Sequence, residues 1–160
     1  MSVTPCLWFK GNAEEAVNTY VSLVPNSRII HVSRYGQASK SDPDKVLMIV
    51  FELDGSRYQA LNGDMDFPFT EAVSLMISVE TQAELDRIWD AIEGGGGKPV
   101  ACSWIKDRFG LSWQVVPKQL DRWMRGDQAA ADRVMQQVMR MVKLDIATLE
   151  RAYAGEDVDA

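Results

Sequence analysis

One order of predicted elements occurs twice in this chain, and this repetition constrains the fold more than any other feature. A strand, an amphipathic helix and three further strands are predicted within residues 4–61, and a similar order within residues 72–116. The two copies are offset by about 65–70 residues and share few letters, so the repeat is one of pattern. The pattern predicts an α+β fold in which two βαβββ modules form a curved mixed sheet.

Local signals give the element boundaries. Thr81, with a glutamate three residues later, is a capping box at a helix start, and Asn12 stands in a similar motif. Asp54-Gly55 is a two-residue turn that predicts a hairpin. The predicted strands cover residues 4–9, 27–35, 45–53, 56–61, 72–79, 98–105 (as one strand or two) and 111–116, and the predicted helices cover residues 13–24 and 81–93.

The chain after Pro117 has a different pattern. Apolar residues recur there every three to four positions, which predicts helices, with an interruption near Asp145, a possible cap. Its methionine-rich stripe is either a partner-binding face or a surface that packs on its own domain or a sister subunit, and we favour packing. The predicted organisation is a first module over residues 1–63, a second over 64–117, a helical extension over 118–154 and a frayed tail over 155–160, within one structural domain.

Charge and cysteine usage exclude several classes of function. The chain has 17 basic and 23 acidic residues, a net charge of −6, which disfavours binding to nucleic acid or anionic membranes. No apolar run approaches the roughly 20 residues of a membrane span, and the N-terminus lacks the pattern of a signal peptide. Cys6 and Cys102 form no CxxC pair. We therefore expect a soluble, reduced, cytoplasmic protein.

Candidate catalytic groups are scarce. His31 is the single histidine, whereas catalytic zinc sites usually use two or three, and a Ser-His-Asp or Cys-His arrangement requires one. Neither cysteine has a nearby base in sequence that would activate its thiol. The glycine run 94–97 follows a helix instead of opening one, so it predicts a helix end and not a phosphate-binding loop.

Short motifs along nearly the whole chain are similar to those of one family. They occupy residues 4–9, 11–16, 25–27, 61–63, 102–107, 109–117 and 144–149. Together with the doubled βαβββ pattern they resemble the vicinal oxygen chelate superfamily, which includes glyoxalase I, bleomycin-resistance proteins and extradiol dioxygenases. Within it, they resemble the PhnB-like subgroup, often labelled 3-demethylubiquinone-9 3-methyltransferase-like. The resemblance implies this fold, and it also implies a homodimer, since superfamily members commonly pair subunits or exchange modules.

The resemblance also implies where a metal would be held. Superfamily enzymes bind a divalent metal through His and Glu side chains, at positions that fall here near Leu7 or Trp8, Ala60, Ser74 and Gln114. None of these is a usual ligand, and a neutral amide binds transition metals poorly. We therefore expect no metal and no cofactor. The methyltransferase label has no support either, because no glycine-rich turn joins a first strand to a helix.

Two functional hypotheses remain. The favoured one is a small-molecule-binding protein of this superfamily that lacks the usual metal ligands, and the alternative is a metal-independent or unconventional-site enzyme (lyase, isomerase or dioxygenase-like). By the resemblance Ala60 points inward, and strand alternation then places Tyr58 and Asn62 on its face. The tryptophans are either core or the wall of a pocket. The candidate ligand-pocket residues are Trp8, Tyr58, Asn62, Ser74, Trp104, Trp113 and Gln114.

Overall fold

The computed structural model describes residues 3–37 and 41–158, so parts of the expected loop at 36–44 and of the expected tail at 155–160 lie outside the described residues. The chain divides into two compact units, Met1–Pro68 (unit 1) and Phe69–Ala160 (unit 2). Unit 1 extends past residue 63, the boundary expected from sequence, because the segment after its last strand returns to contact Trp8. No helix of the described ranges is long and apolar enough to cross a membrane.

Unit 1 has the predicted βαβββ order. Its elements are β1 (Cys6–Phe9), α1 (Ala13–Leu23), β2 (Arg28–Arg34), β3 (Val46–Leu53) and β4 (Ser56–Asn62). The strands form one sheet in the order β1-β4-β3-β2, with β1 parallel to β4 and the other pairs antiparallel. The hairpin between β3 and β4 is confirmed at Asp54 and Gly55, whose φ angles of 44° and 78° are those of a type I′ turn.

The start of α1 differs from the sequence prediction. Asn12 makes no side-chain capping bond. Instead, Asn62 Oδ1 accepts a hydrogen bond from the backbone N of Ala13 at 3.0 Å, and Asn62 Nδ2 donates to the carbonyl of Val46 at 2.9 Å. The helix begins against the sheet, where Ala13 is fully buried and Asn12 is exposed. A residue 49 positions away therefore caps the helix, which no local motif indicates.

Unit 2 repeats the order. Its elements are β5 (Ser74–Val79), α2 (Gln82–Gly94), β6 (Lys98–Pro99), β7 (Trp104–Lys106) and β8 (Ser112–Pro117). The sheet order is β5-β8-β7-β6, with β5 parallel to β8. The capping box at the start of α2 is confirmed, since the Thr81 side chain accepts from the N of Glu84 and the Glu84 side chain accepts from the N of Thr81.

The strand predicted over residues 98–105 is split by a turn. Cys102 and Ser103 both have left-handed φ angles, 60° and 63°, which no strand residue can adopt. Their backbone N–H groups donate to the carbonyls of Met141 and Val142, each at 2.8 Å. The helical extension thus accepts the hydrogen bonds of the turn that separates β6 from β7.

The extension consists of α3 (Gln119–Met124), α4 (Gln128–Val138) and α5 (Ile146–Ala154). The predicted cap is confirmed, because the Asp145 side chain accepts from the N of Thr148 at 2.7 Å. The Gln82 side chain joins the extension to α2 by donating to the carbonyl of Leu144 and accepting from the N of Ile146. Part of the predicted stripe packs within unit 2, since Val138, Ile146 and Leu149 are buried together with Trp123, Val134 and Leu144 of the extension. Met135, Met139 and Val142 of the stripe are exposed, so the choice between a partner-binding face and packing stays open for the methionines.

Candidate functional site

Unit 2 carries the strongest candidate site on the sheet face that α2 does not cover. α2 buries Leu85, Ile88 and Trp89 against the sheet, where Ile105 and Val115 are fully buried. Because side chains alternate along a strand, the residues between these strand positions point the other way. We call this surface the helix-free face of unit 2; it comprises Ser74, Met76, Trp104, Lys106, Ser112 and Gln114.

The strand register arranges these side chains in two rows. Met76, Gln114 and Trp104 are register partners across β5, β8 and β7. Ser74, Ser112 and Lys106 form the adjacent row in the same way. Met76 is 58% exposed, while Trp104 and Gln114 are half-buried. The first row therefore offers an accessible apolar surface with an indole and an amide beside it.

A hydrogen bond between the two rows orients the amide of Gln114. Gln114 Nε2 donates to Ser74 Oγ at 2.8 Å. Gln114 Oε1 and the Trp104 indole N–H have no hydrogen-bond partner among the described residues. The Ser74 hydroxyl accepts from Gln114, so its own hydrogen can point elsewhere. The face thus presents one acceptor and two donors beside an apolar surface, which is the usual composition of a small-molecule site.

Trp113 lies on the opposite, helix-covered face. It is 1% exposed, and its indole N–H donates to Asp107 Oδ2 at 2.9 Å. The other carboxylate oxygen of Asp107 accepts from the backbone N of Phe109 and Leu111. Trp113 therefore belongs to the core and to the turn before β8, and the structure separates it from Trp104 and Gln114.

Trp8 lies on the face of the unit 1 sheet that α1 does not cover. Its indole N–H donates to the carbonyl of Met65 at 2.8 Å, and its ring meets Phe67 edge-on at 5.3 Å between centroids. A Cβ at Gly63 would lie 2.1 Å from the Trp8 ring, so only glycine permits this approach. The segment after β4 thus occupies the polar edge of the Trp8 indole.

Tyr58 and Asn62 lie on the helix-covered face of unit 1, contrary to the expectation that they point into an open cleft. Asn62 is 8% exposed, and both its amide oxygen and its amide nitrogen are hydrogen-bonded to backbone groups, as described above. The Tyr58 ring stacks on Phe51, a fully buried register partner, at 5.5 Å. The sequence prediction of the inward face depends on Ala60, which is fully buried beneath α1. A ligand role for these two residues stays an untested prediction.

The same correction applies to the positions implied for a metal in unit 1. Leu7 and Ala60 are register partners and both are buried on the helix-covered face. Their neighbours on the helix-free face are Cys6, Trp8 and Gln59. Partial burial raises the pKa of the thiol of Cys6, a residue that is otherwise exposed, and this disfavours the thiolate that binds metals.

The donor groups at these positions do not fit a divalent metal. Gln59 in unit 1, and Ser74 and Gln114 in unit 2, offer neutral amides and a hydroxyl, which are weak ligands. His31 is exposed on β2. Within residues 3–37 and 41–158, no three His, Cys, Asp or Glu side chains stand close enough to hold an ion. The absence of bound metal remains a prediction for measurement.

Sequence reasoning missed two groups at the candidate site. Lys106 lies two residues after Trp104 and so shares its face, and its ammonium donates to the Glu71 carboxylate. Alternation along β7 could have identified Lys106. Glu71 precedes β5, and no local signal links it to the site.

A polar cavity in unit 1 was also missed. Its volume is about 450 Å³, and the described lining mixes three basic with four acidic side chains. Tyr35 and Asn62 contribute to the wall, and the Tyr35 hydroxyl donates to the carbonyl of Asn62 at 2.8 Å. The mixture of both charges indicates no single ligand class.

Comparisons with known proteins match the part of the chain that contains the two βαβββ repeats. The family model described as 3-demethylubiquinone-9 3-methyltransferase matches residues 1–116. A putative 3-demethylubiquinone-9 3-methyltransferase, PhnB protein, from Bacillus cereus is 30% identical with a TM-score of 0.66, and the match covers 73% of this chain and 99% of that one. No curated protein matches the chain.

Two further solved structures show the fold alone, because their sequence identities are low. Protein PA1353 from Pseudomonas aeruginosa is 20% identical, with a TM-score of 0.60 over 73% of this chain and 97% of that one. The fosfomycin resistance protein FosX from Listeria monocytogenes is 16% identical, with a TM-score of 0.57 over 79% and 98%. With its two βαβββ units, the chain belongs to the 3-demethylubiquinone-9 3-methyltransferase (PhnB-like) family of the vicinal oxygen chelate fold.

Proposed function

We propose that this protein binds a small molecule on the helix-free face of unit 2. One observation carries the proposal: the Ser74–Gln114 hydrogen bond holds an amide whose oxygen accepts no hydrogen bond from the described residues, beside the indole N–H of Trp104, which donates to none of them. Met76 adds exposed apolar surface next to this amide. A ligand that satisfies these groups and covers Met76 would gain both hydrogen bonds and apolar burial.

Binding is favoured over catalysis by the chemistry of these groups. The hydroxyl of Ser74, the indole of Trp104 and the amide of Gln114 do not ionise near neutral pH. General acid–base catalysis needs a group with a pKa near the working pH. The three residues can position and recognise a molecule, and we assign them those roles.

The first experiment is a thermal-shift screen of small aromatic and cationic compounds with the purified protein. A compound that binds here should raise the melting temperature of the wild-type protein in a concentration-dependent way. Gln114→Ala should weaken its binding by about 1–3 kcal/mol, because the ligand loses a buried partner. The variant should keep the wild-type circular dichroism spectrum.

The matched control is Gln128→Ala. Gln128 is an exposed residue of α4 whose amide donates to Asp132, far along the chain from the sheet. The control should bind the same compound with unchanged affinity. If Gln114→Ala binds as tightly as the control, the proposed site is wrong.

A further inference from the structure

We propose that the helix-free face of unit 2 selects uncharged aromatic molecules, and that Glu71 sets this preference by neutralising Lys106. This inference rests on the proposed function and names the class of ligand. It starts from the ion pair between Lys106 and Glu71, which lies at the row of the face next to Gln114.

The strand register places the ion pair beside the site. Lys106, Ser112 and Ser74 are partners across β7, β8 and β5, so their side chains share one face. Glu71 lies three residues before Ser74, on the far side of β8 from Lys106. The Lys106 ammonium donates to the Glu71 carboxylate, so the ion pair lies at the end of the sheet where β5 and β8 begin. This end carries the row that contains Ser74, whose hydroxyl accepts the hydrogen bond from Gln114.

The ion pair between Lys106 and Glu71 leaves no net charge at this end of the face. The hydrogen bond from Lys106 lowers the pKa of the Glu71 carboxyl, so Glu71 is ionised at neutral pH. Lys98 is the register partner of Lys106 on the edge strand β6. It lies two strands from Gln114 on β8, about 10 Å away, and one strand from Trp104 on β7, about 5 Å away. Lys98 thus adds a positive charge at the outer edge of the face, while the ion pair leaves no net charge at the Ser74 end.

The remaining groups suit an uncharged ring system. An anion on this face would meet an ammonium whose charge is already compensated by Glu71. A cation would likewise meet a carboxylate held by Lys106. A planar molecule can instead pack on Trp104 and Met76 and exchange hydrogen bonds with Gln114 and the indole N–H. Loss of the carboxylate charge would leave Lys106 uncompensated and would change this preference.

The test compares an uncharged and an anionic probe of one size, 2-naphthol and 2-naphthoate, at pH 7. Binding to the wild-type protein is measured by titration calorimetry, and we expect 2-naphthol to bind more tightly. Glu71→Gln removes the carboxylate charge and keeps the side-chain shape. It should raise the affinity for 2-naphthoate by about three- to tenfold, the effect of one partly exposed charge. The affinity for 2-naphthol should change less than about twofold, and the gain should shrink in 1 M salt.

One variant controls for changes that do not involve the site. Glu80→Gln removes the same charge from an ion pair with Lys118 at the other end of β5. It should not alter the preference between the two probes. An equal gain for 2-naphthoate in Glu80→Gln would overturn the assignment to Glu71, because net charge alone would then explain it.

The outcomes also separate this inference from the proposed function. If 2-naphthol binds and Gln114→Ala weakens it, but Glu71→Gln leaves both affinities unchanged, the site stands and the role of Glu71 is wrong. If neither probe binds the wild-type protein at millimolar concentration, the aromatic ligand class is wrong. The proposed function is then judged by the Gln114→Ala response to whichever compound the screen identifies. Melting temperatures within about 2 °C of wild type would show that the variants are folded.

Discussion

Asn62 should contribute to stability and not to ligand binding, and this expectation can be tested by replacing it with alanine. Asn62 was a candidate ligand residue, but the structure buries its side chain between α1 and the sheet. Its amide is the partner of the Ala13 N–H and of the Val46 carbonyl. Asn62→Ala therefore leaves two backbone groups without partners at a position that is 8% exposed.

The size of the effect follows from these two bonds. A buried donor or acceptor that loses its partner costs about 1–3 kcal/mol. Two such groups predict a loss of about 2–6 kcal/mol in the free energy of unfolding. This is a large part of the roughly 5–15 kcal/mol that stabilises a typical domain. Asn12→Ala is the matched control, because Asn12 precedes the same helix and makes no side-chain capping bond. It should cost less than about 0.5 kcal/mol.

Urea unfolding followed by circular dichroism measures both variants. With a denaturant slope of about 1–3 kcal/mol per molar, Asn62→Ala should lower the midpoint by about 1 M or more, while Asn12→Ala should leave it nearly unchanged. Because the chain has two compact units, its unfolding need not be two-state. Tryptophan fluorescence recorded in parallel tests this, since a two-state transition gives the same midpoint by both methods. Equal losses in the two variants, or a loss below 1 kcal/mol for Asn62→Ala, would refute the tertiary cap.

Four further predictions address metal, assembly, pH and packing. After dialysis against zinc, nickel, iron and manganese salts, elemental analysis should find no stoichiometric metal; near-equimolar metal would contradict this. Sedimentation equilibrium should give a homodimer, twice the 17.9 kDa chain, and Met139→Asp should weaken it if the exposed methionines lie at the interface; a monomer at all micromolar concentrations would exclude pairing. Hydrogen bonds from Thr148 lower the pKa of Asp145 in the folded state, so the stabilisation by Asp145 is complete above the ordinary Asp pKa and is lost as pH falls through the lowered value. Asp145→Asn should lower the free energy of unfolding at pH 7 and should make that free energy depend less on pH in the acid range. An unchanged dependence on pH would show that the cap does not titrate. Gly63→Ala should displace the Trp8 ring and shift tryptophan emission, whereas the equivalent change at Gly94, whose Cβ would meet open space, should not.

Sequence reasoning succeeded where the determining forces act over a few residues. The capping box at Thr81 satisfies backbone groups within one helical turn, so it marks the start of α2 without any tertiary contact. Asp54 and Gly55 adopt the positive φ angles that a two-residue hairpin requires. The repeated order of such signals was enough to predict two βαβββ units, and the fold confirms them.

Sequence reasoning stopped at the choice of sheet face. In β1 both alternating sets of strand residues are apolar or aromatic, so hydrophobicity does not show which set a helix covers. Trp104 and Trp113 are similar in sequence context, yet one lies on the helix-free face and the other against the core. Packing of α1 and α2 decided this difference, because each helix buries one side of its sheet and leaves the other to solvent.

The remaining gaps share one physical cause, which is distance along the chain. Asn62 caps a helix 49 residues away, Lys106 pairs with Glu71 across 35 residues, and the turn at Cys102 is held by carbonyls of the extension. Each bond forms only after the sheet brings its partners together, so its energy has no local pattern. The sequence by itself determined the order and type of the elements through short-range hydrogen bonding and hydrophobic period. The tertiary structure alone decided which polar side chains support the fold and which remain free to meet a ligand, since that depends on which neighbours occupy their donors and acceptors.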